Sequence, residues 1–184
     1  MNTVEKAEIF AIAAHEAVTD KRKYTGEPAS VHHRAVAERL KALGYDDETV
    51  AAGWLHDVIE DTGVTQEVLR QFFSQKTCDI VFYSTQVAFK GDGTRKERST
   101  ANNLHYATGI EESQSLKLCD SMDNTPSMTY HNPKFAQTYV REKYHLHSLM
   151  TKAHPDIIQT HAQMLADCSK HLGLSAEAPS FSRY

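Results

Sequence analysis

Three short clusters in this chain have the residue types and spacing for metal chemistry. The densest runs from Trp54 to Asp61, where adjacent His56 and Asp57 sit among apolar residues and are followed by Glu60 and Asp61. Trp54, Leu55, Val58 and Ile59 mark the segment as buried. Buried ionisable groups need a partner, and a divalent cation is one that a neutral imidazole and a carboxylate can share. A second cluster follows the turn at Gly26 and Pro28 and delivers His32, with His33 beside it, at the start of a helix. A third, from Leu116 to Asn124, plants Asp120 in an apolar helical run. His32, His56, Asp57 and Asp120 together offer imidazole nitrogens and carboxylate oxygens. That mixture suits a borderline or hard ion such as Mn²⁺, although another divalent metal would also fit, and it leaves positions for water and substrate. On a helix Glu60 lies one turn beyond His56 and Asp57, where a carboxylate can hold or deprotonate a water already acidified by the ion. Asp120 and Asn124 share a helix face in the same way.

The elements that must position these groups read as helices almost throughout. Apolar periodicity, caps and breakers place helices at about 3–19, 31–43, 46–62, 65–73, 76–88, 98–108, 110–124, 133–152 and 155–172. Thr3 is expected to open the first and Asp46 or Asp47 to cap the third. Gly26 and Pro28 break the chain between the first two, and 90–98 reads as a glycine-rich basic loop. Phe72, Phe73, Phe82 and Tyr83 are expected in the core. Histidines outside the clusters, among them His15, His147 and His161, are treated as structural or surface residues. The fold class is therefore all-α: one multi-helix domain over residues 1–175, with 176–184 a loose tail. Strand alternation of the kind a mononucleotide-binding sheet needs is missing from the pattern.

A net charge of −4 over 184 residues gives no global field to recruit nucleic acid or an anionic membrane. An anionic substrate must then be met by a local cluster of cations. The acidic start and the lack of a long apolar run exclude a signal peptide and a membrane span. Three widely spaced cysteines read as reduced thiols, hence a cytoplasmic protein. Oligomeric state is left open, with a homodimer among the options.

The order of His32, then His56-Asp57, then Asp120 resembles that of the HD phosphohydrolase superfamily. More narrowly, the stretch from Arg22 to Pro28, then Leu55 to Thr62, then Lys117 to Asn124, resembles the hydrolase domain of the RelA/SpoT family, in particular its small stand-alone alarmone hydrolases. The resemblance implies a single HD-domain helical bundle around a mononuclear metal site, with Mn²⁺ held by His32, His56, Asp57 and Asp120. It implies that Glu60 and Asp61 orient and activate the attacking water. Arg22 would pack on the nucleobase, with Lys23 near the phosphates and Asn124 on the nucleotide; Lys96 and Arg98 in the basic loop are further candidates for the phosphates. The implied reaction removes the 3′-pyrophosphate of a guanosine tetra- or pentaphosphate, with a small-molecule nucleotide as the partner. Other readings are an HD phosphohydrolase acting on a 5′-nucleotide or NADPH, and a non-catalytic alarmone-binding module. Ala29, Ser30 and His33 stand where the family normally carries an aromatic, an aliphatic and a proline, and Ser121 and Asp123 replace longer residues. These departures imply weaker discrimination between guanine and adenine.

Overall fold

A computed structural model describes residues 1–174; the tail expected at 176–184 lies outside the described residues. The protein is all-α. Its described residues form α1 (Thr3–Ala17), α2 (Ser30–Ala42), α3 (Asp47–Leu55), α4 (Val58–Thr62), α5 (Gln66–Phe72), α6 (Gln75–Ser84), α7 (Arg95–Thr108), α8 (Glu111–His131), α9 (Pro133–Leu149) and α10 (Pro155–His171). They group into two compact units, Met1–Thr85 and the chain from Gln86 onward.

In the first unit α3 is the hub, packed on α1, α2 and α6. Every residue from Thr49 to Leu55 is buried, so this short helix is stabilised by tertiary burial and not by an amphipathic face. Asp46 caps it, its carboxylate accepting the Thr49 N–H at 3.0 Å. Asn2, one residue earlier than expected, caps α1 in a reciprocal box with Glu5. The close approach of α2 and α3 depends on Gly53. A Cβ there would meet the Ala37 Cα and Leu40 Cδ1, both at 3.0 Å.

The helix expected over 46–62 is interrupted between Leu55 and Val58. In a continuous helix the Gly53 carbonyl would accept the Asp57 N–H; here the His56 Nδ1 reaches back to it at 2.9 Å. Side-chain competition for that carbonyl accounts for the break. α6 ends at Ser84, short of the expected 88: Ser84 and Thr85 hydroxyls donate to the Ile80 and Val81 carbonyls at 2.7 and 2.8 Å, and at Thr85 the backbone turns extended. Phe73 is buried, but Phe72 and Phe82 are each 45% exposed and not core residues as expected.

In the second unit α8 packs on α9 and α10, and Val140, Leu165 and Cys168 form a cluster with Tyr144 and Met164. The expected stop at 124 is wrong because α8 continues through Pro126 to His131. An interior proline costs about 3 kcal/mol. Thr125 and Thr129, on either side of that proline, are buried, and the Thr129 hydroxyl donates to the Thr125 carbonyl at 2.8 Å. His161 and Ser121 are fully buried and joined, Nε2 to Oγ, at 2.9 Å, which ties α10 to the turn of α8 that carries Asp120. Burial, with His147 and Lys143 nearby, lowers His161 to about 3, so this imidazole is a neutral core group. Among the described residues no helix is long and apolar enough to cross a membrane.

Gly53→Val should lower the unfolding free energy by ~1–3 kcal/mol, as overpacking of a tight core does. Denaturant midpoints measure this, and an unchanged midpoint would mean that α2 and α3 have room to spare.

Candidate metal centre

His56 follows α3 directly and is fully buried. A carbonyl only accepts, so the Gly53 oxygen fixes the Nδ1 proton and leaves the Nε2 lone pair for an ion. His32, in the first turn of α2, brings its Nε2 to 3.1 Å from that atom. Asp57 completes the triangle, its Oδ2 lying 3.1 Å from His56 Nε2 and 3.5 Å from His32 Nε2. Edges of this size are those of donors that each sit about 2.0–2.2 Å from a common ion. Two imidazole nitrogens aimed at one another beside a carboxylate are also hard to explain as packing. The donor set therefore fits a divalent cation, and these three residues are the cluster that could hold one among the described residues.

The electrostatics point the same way. Burial pushes the Asp57 carboxyl up, but His56 above all, with His32 and His33, holds it well below the usual carboxylate range. Asp61 moves in the opposite direction. Burial, then the charges of Asp57, Glu60 and Asp20, push it up to about 7. Its carboxyl keeps a solvent-exposed face, so water screening and any bound cation bring that value down.

His33 belongs to the outer surroundings of this triangle. It is 1% exposed, and burial lowers it to about 4. Its Nε2 lies 3.6 Å from the Asp57 oxygen that faces the ligands, and its ring packs on His15 with centroids 4.3 Å apart. His15 is itself bonded to Asp20 at 2.8 Å. Neither His15 Nε2 nor His33 Nδ1 has a hydrogen-bond partner. The sequence sets His33 beside His32 without giving it a role, because an adjacent histidine pair carries no signal of which ring supports the other.

The remaining expected site residues are distributed as follows. Glu60 and Asp61 lie on α4, one turn past the triangle. Arg22 and Lys23 occupy the loop between α1 and α2, which the Arg22 N–H closes on the Glu27 carbonyl at 2.8 Å; Arg22 is half-buried and Lys23 exposed over the Tyr24 ring. In the second unit Asn124 donates to Asp120 Oδ1 at 2.6 Å, while the Lys117 ammonium is 3.0 Å from Asp120 Oδ2. Arg98 lines a polar cavity of that unit together with Lys90, Lys117 and Lys143, and Lys96 is exposed on a different one beside Thr138. Lys117 was missed from sequence, though a lysine amid the apolar run that carries Asp120 is a usable signal.

The HD domain family matches residues 7–112, and the chain belongs to that family. Among curated relatives, guanosine-3′,5′-bis(diphosphate) 3′-pyrophosphohydrolase of Aquifex aeolicus is 31% identical over 126 residues, 68% of this chain and 18% of that protein. The enzyme of the same name from Haemophilus influenzae is 36% identical over 115 residues, 62% of this chain and 17% of that protein. The chain spans only 16–18% of the length of the first relatives it matches. Among solved structures, a metazoan ortholog of SpoT described as hydrolysing ppGpp aligns over 95% of this chain and 98% of its own, with TM-score 0.78 and 20% identity. That likeness is one of fold. The Listeria monocytogenes protein lmo0812 aligns over 80% of this chain and 99% of its own, with TM-score 0.65 and 26% identity.

His33→Phe keeps bulk but removes the ring nitrogen beside Asp57. It should weaken Mn²⁺ binding by about 10-fold or more, as loss of a group supporting a ligand does. Calorimetric titration of metal into protein with an unchanged metal-free melting temperature tests this; wild-type affinity would show that Asp57 needs no such support.

Proposed function

We propose that the protein is a metal-dependent phosphohydrolase that removes the 3′-pyrophosphate of a purine alarmone of the guanosine 3′,5′-bis(diphosphate) type. The observation that carries this reading is the His32–His56–Asp57 triangle with the acidic pair Glu60 and Asp61 one turn away. Resemblance to the hydrolase region of the curated relatives supplies the substrate class. Asp120 is kept as the fourth ligand on its sequence motif, and it lies beyond the residues matched by the family. Mn²⁺ is the proposed ion, on the mixed nitrogen and oxygen donor set. Three cysteines outside any disulfide fit the proposed cytoplasmic setting. The domain assignment, residues 1–175 as one catalytic domain, is part of the same proposal.

A divalent cation in the triangle supplies Lewis acidity and lowers the pKa of water. The chain's own residues do the rest. Glu60 and Asp61 hold the attacking water and take its proton as it adds to phosphorus, and the bond from that phosphorus to the departing oxygen breaks. Arg22 offers a guanidinium plane to the purine and Lys23 an ammonium to the phosphates. Asn124 contacts the nucleotide, and Lys96 and Arg98 meet the diphosphate. Ala29 in place of a larger residue relaxes the choice between guanine and adenine.

Pyrophosphate release from guanosine and adenosine 3′,5′-bis(diphosphates) should be supported by Mn²⁺ and lost on chelation. Phosphate release from NADPH or a 5′-nucleotide, with neither alarmone cleaved, would replace this reading with that of another HD phosphohydrolase. Tight alarmone binding without turnover would point to a binding module.

Glu60→Gln should lower kcat by about 10²-fold while leaving metal content near wild type; loss of the metal would make Glu60 a ligand.

A base works deprotonated, so activity should rise with pH through the Asp61 pKa. A bound cation lowers that pKa, and kcat/KM should therefore show an acid limb at or below about 7. The limb should vanish in Asp61→Asn; its persistence would assign the proton to another group.

A further inference from the structure

Helices α1, α2 and α10 end in the same hydrogen-bonded turn, and the turn after α1 is built from different residues. At the end of α2 the Tyr45 N–H returns to the Leu40 carbonyl at 3.3 Å and the Gly44 N–H to the Lys41 carbonyl at 3.0 Å. At the end of α10 the Leu174 and Gly173 N–H groups return in the same way to Ser169 and Lys170. The residue that reverses the chain in both is glycine, at φ +83° and +65°. That is the usual form of this cap, and an apolar contact between the residues joined by its longer bond often accompanies it. α1 ends with the same two bonds, Asp20 N–H to the His15 carbonyl and Thr19 N–H to the Glu16 carbonyl, both at 3.0 Å. Here the reversing residue is Thr19 at φ +56°, alone in that region among the described non-glycine residues.

A β-branched residue in that conformation is strained, and such strain persists where the surroundings hold it and serve a purpose beyond the turn. The two backbone bonds hold Thr19, and a polar pair stands in the place of the apolar contact. The Asp20 carboxylate accepts from His15 Nδ1 at 2.8 Å. A carboxylate only accepts, so the proton lies on Nδ1 and the His15 ring is held in one tautomer. His15 is buried, while the Asp20 side chain is 30% exposed. A cap by itself has no need of an imidazole at this depth. An apolar side chain would close the same turn without burying a ring nitrogen, Nε2, that has no hydrogen bond to the described residues. The His15 ring lies instead against that of His33, with centroids 4.3 Å apart. His33 stands 5.6 and 5.5 Å from the His32 and His56 rings, and its Nε2 is 3.6 Å from Asp57 Oδ2. A line of contacts thus runs from a partly exposed carboxylate at the end of α1 to the oxygen that faces the other two ligands.

We infer that Asp20 and His15 are positioning residues for the metal centre. The turn after α1 sets the His15 ring, His15 sets the His33 ring, and His33 sets the Asp57 carboxylate beside His32 and His56. Neither Asp20 nor His15 is a ligand. The inference rests on the reading of the triangle as a divalent-cation site, and it extends that site from the three ligands to the end of α1.

The test titrates Mn²⁺ into the metal-free protein by calorimetry and records the visible absorption of the Co²⁺-loaded protein, which reports the geometry of the ligands. Wild type should bind one Mn²⁺ per chain. The double variant His15→Leu with Asp20→Leu gives the turn an apolar closure, and its metal-free melting temperature should stay at or above that of wild type. It should bind Mn²⁺ about tenfold more weakly and shift the Co²⁺ bands, as loss of an outer partner of a ligand does. Asp20→Asn keeps an oxygen for the His15 N–H and should bind Mn²⁺ as wild type does. Wild-type affinity and unmoved bands in the double variant would make the pair a helix cap only and overturn the inference. A loss in Asp20→Asn as large as in the double variant also overturns it, because the Asp20 charge would then act through space. If the double variant melts below wild type, Asp20→Ala decides at a partly exposed position. Weaker Mn²⁺ binding there, restored in Asp20→Asn, upholds the positioning role, and wild-type affinity overturns it. Failure of wild type itself to bind Mn²⁺ removes the metal reading, and the inference with it.

Discussion

The hydrogen bond from His56 Nδ1 to the Gly53 carbonyl does two things at once. It assigns the imidazole tautomer, so that Nε2 presents a lone pair toward His32 and Asp57. It also removes the carbonyl that would have continued α3, and the chain turns where Asp57 must face its partners. Both effects depend on α3 lying close against α2, since His32 is carried by α2 and meets His56 across that contact. A glycine at the point of closest approach permits it. The metal-binding geometry is thus a consequence of helix packing as much as of ligand identity.

Much of this could be read from the residues. The His-Asp pair in an apolar run, the second histidine after a turn and the helical character of almost the whole chain were all legible, because burial of ionisable groups leaves a plain mark on a sequence. The interruption at His56 and Asp57 was not, since periodicity does not register a side chain that competes for a backbone carbonyl. The stop drawn at 124 has another origin: α8 runs on through Pro126 with Thr125 and Thr129 buried, a tertiary contact that no local rule weighs. His33 and Lys117 were missed because their roles lie in which neighbour they face, a property of the fold.

Asp57 in the triangle and Asp61 just after it show how one turn of chain can hold carboxylates in opposite states. Asp57 gathers three imidazoles around one oxygen and is held ionised. Asp61, four residues on, meets Asp57, Glu60 and Asp20 instead and is pushed toward neutrality. Groups with pKa values driven apart in this way suit different tasks, and the proposed function gives them those of ligand and base.

On the proposed function, an acidic protein would take a highly anionic substrate, an electrostatic conflict because its long-range field opposes the encounter. The charge distribution of this chain answers it locally. Several of its acids are committed to pairs and caps, as with Glu142 to Arg95, Glu97 to the start of α7 and Asp46 to Lys76. The cations around the second unit's cavity have one acid on their own wall, and that acid is taken by Arg95. Over distances beyond a Debye length, about 8 Å at physiological salt, the net charge is largely screened. What a phosphate meets at contact range is then the local excess of lysine and arginine. Pairing several acids elsewhere helps a chain of net negative charge present a positive concavity, and the Lys117–Asp120 contact gives the most buried of those cations a partner of opposite sign.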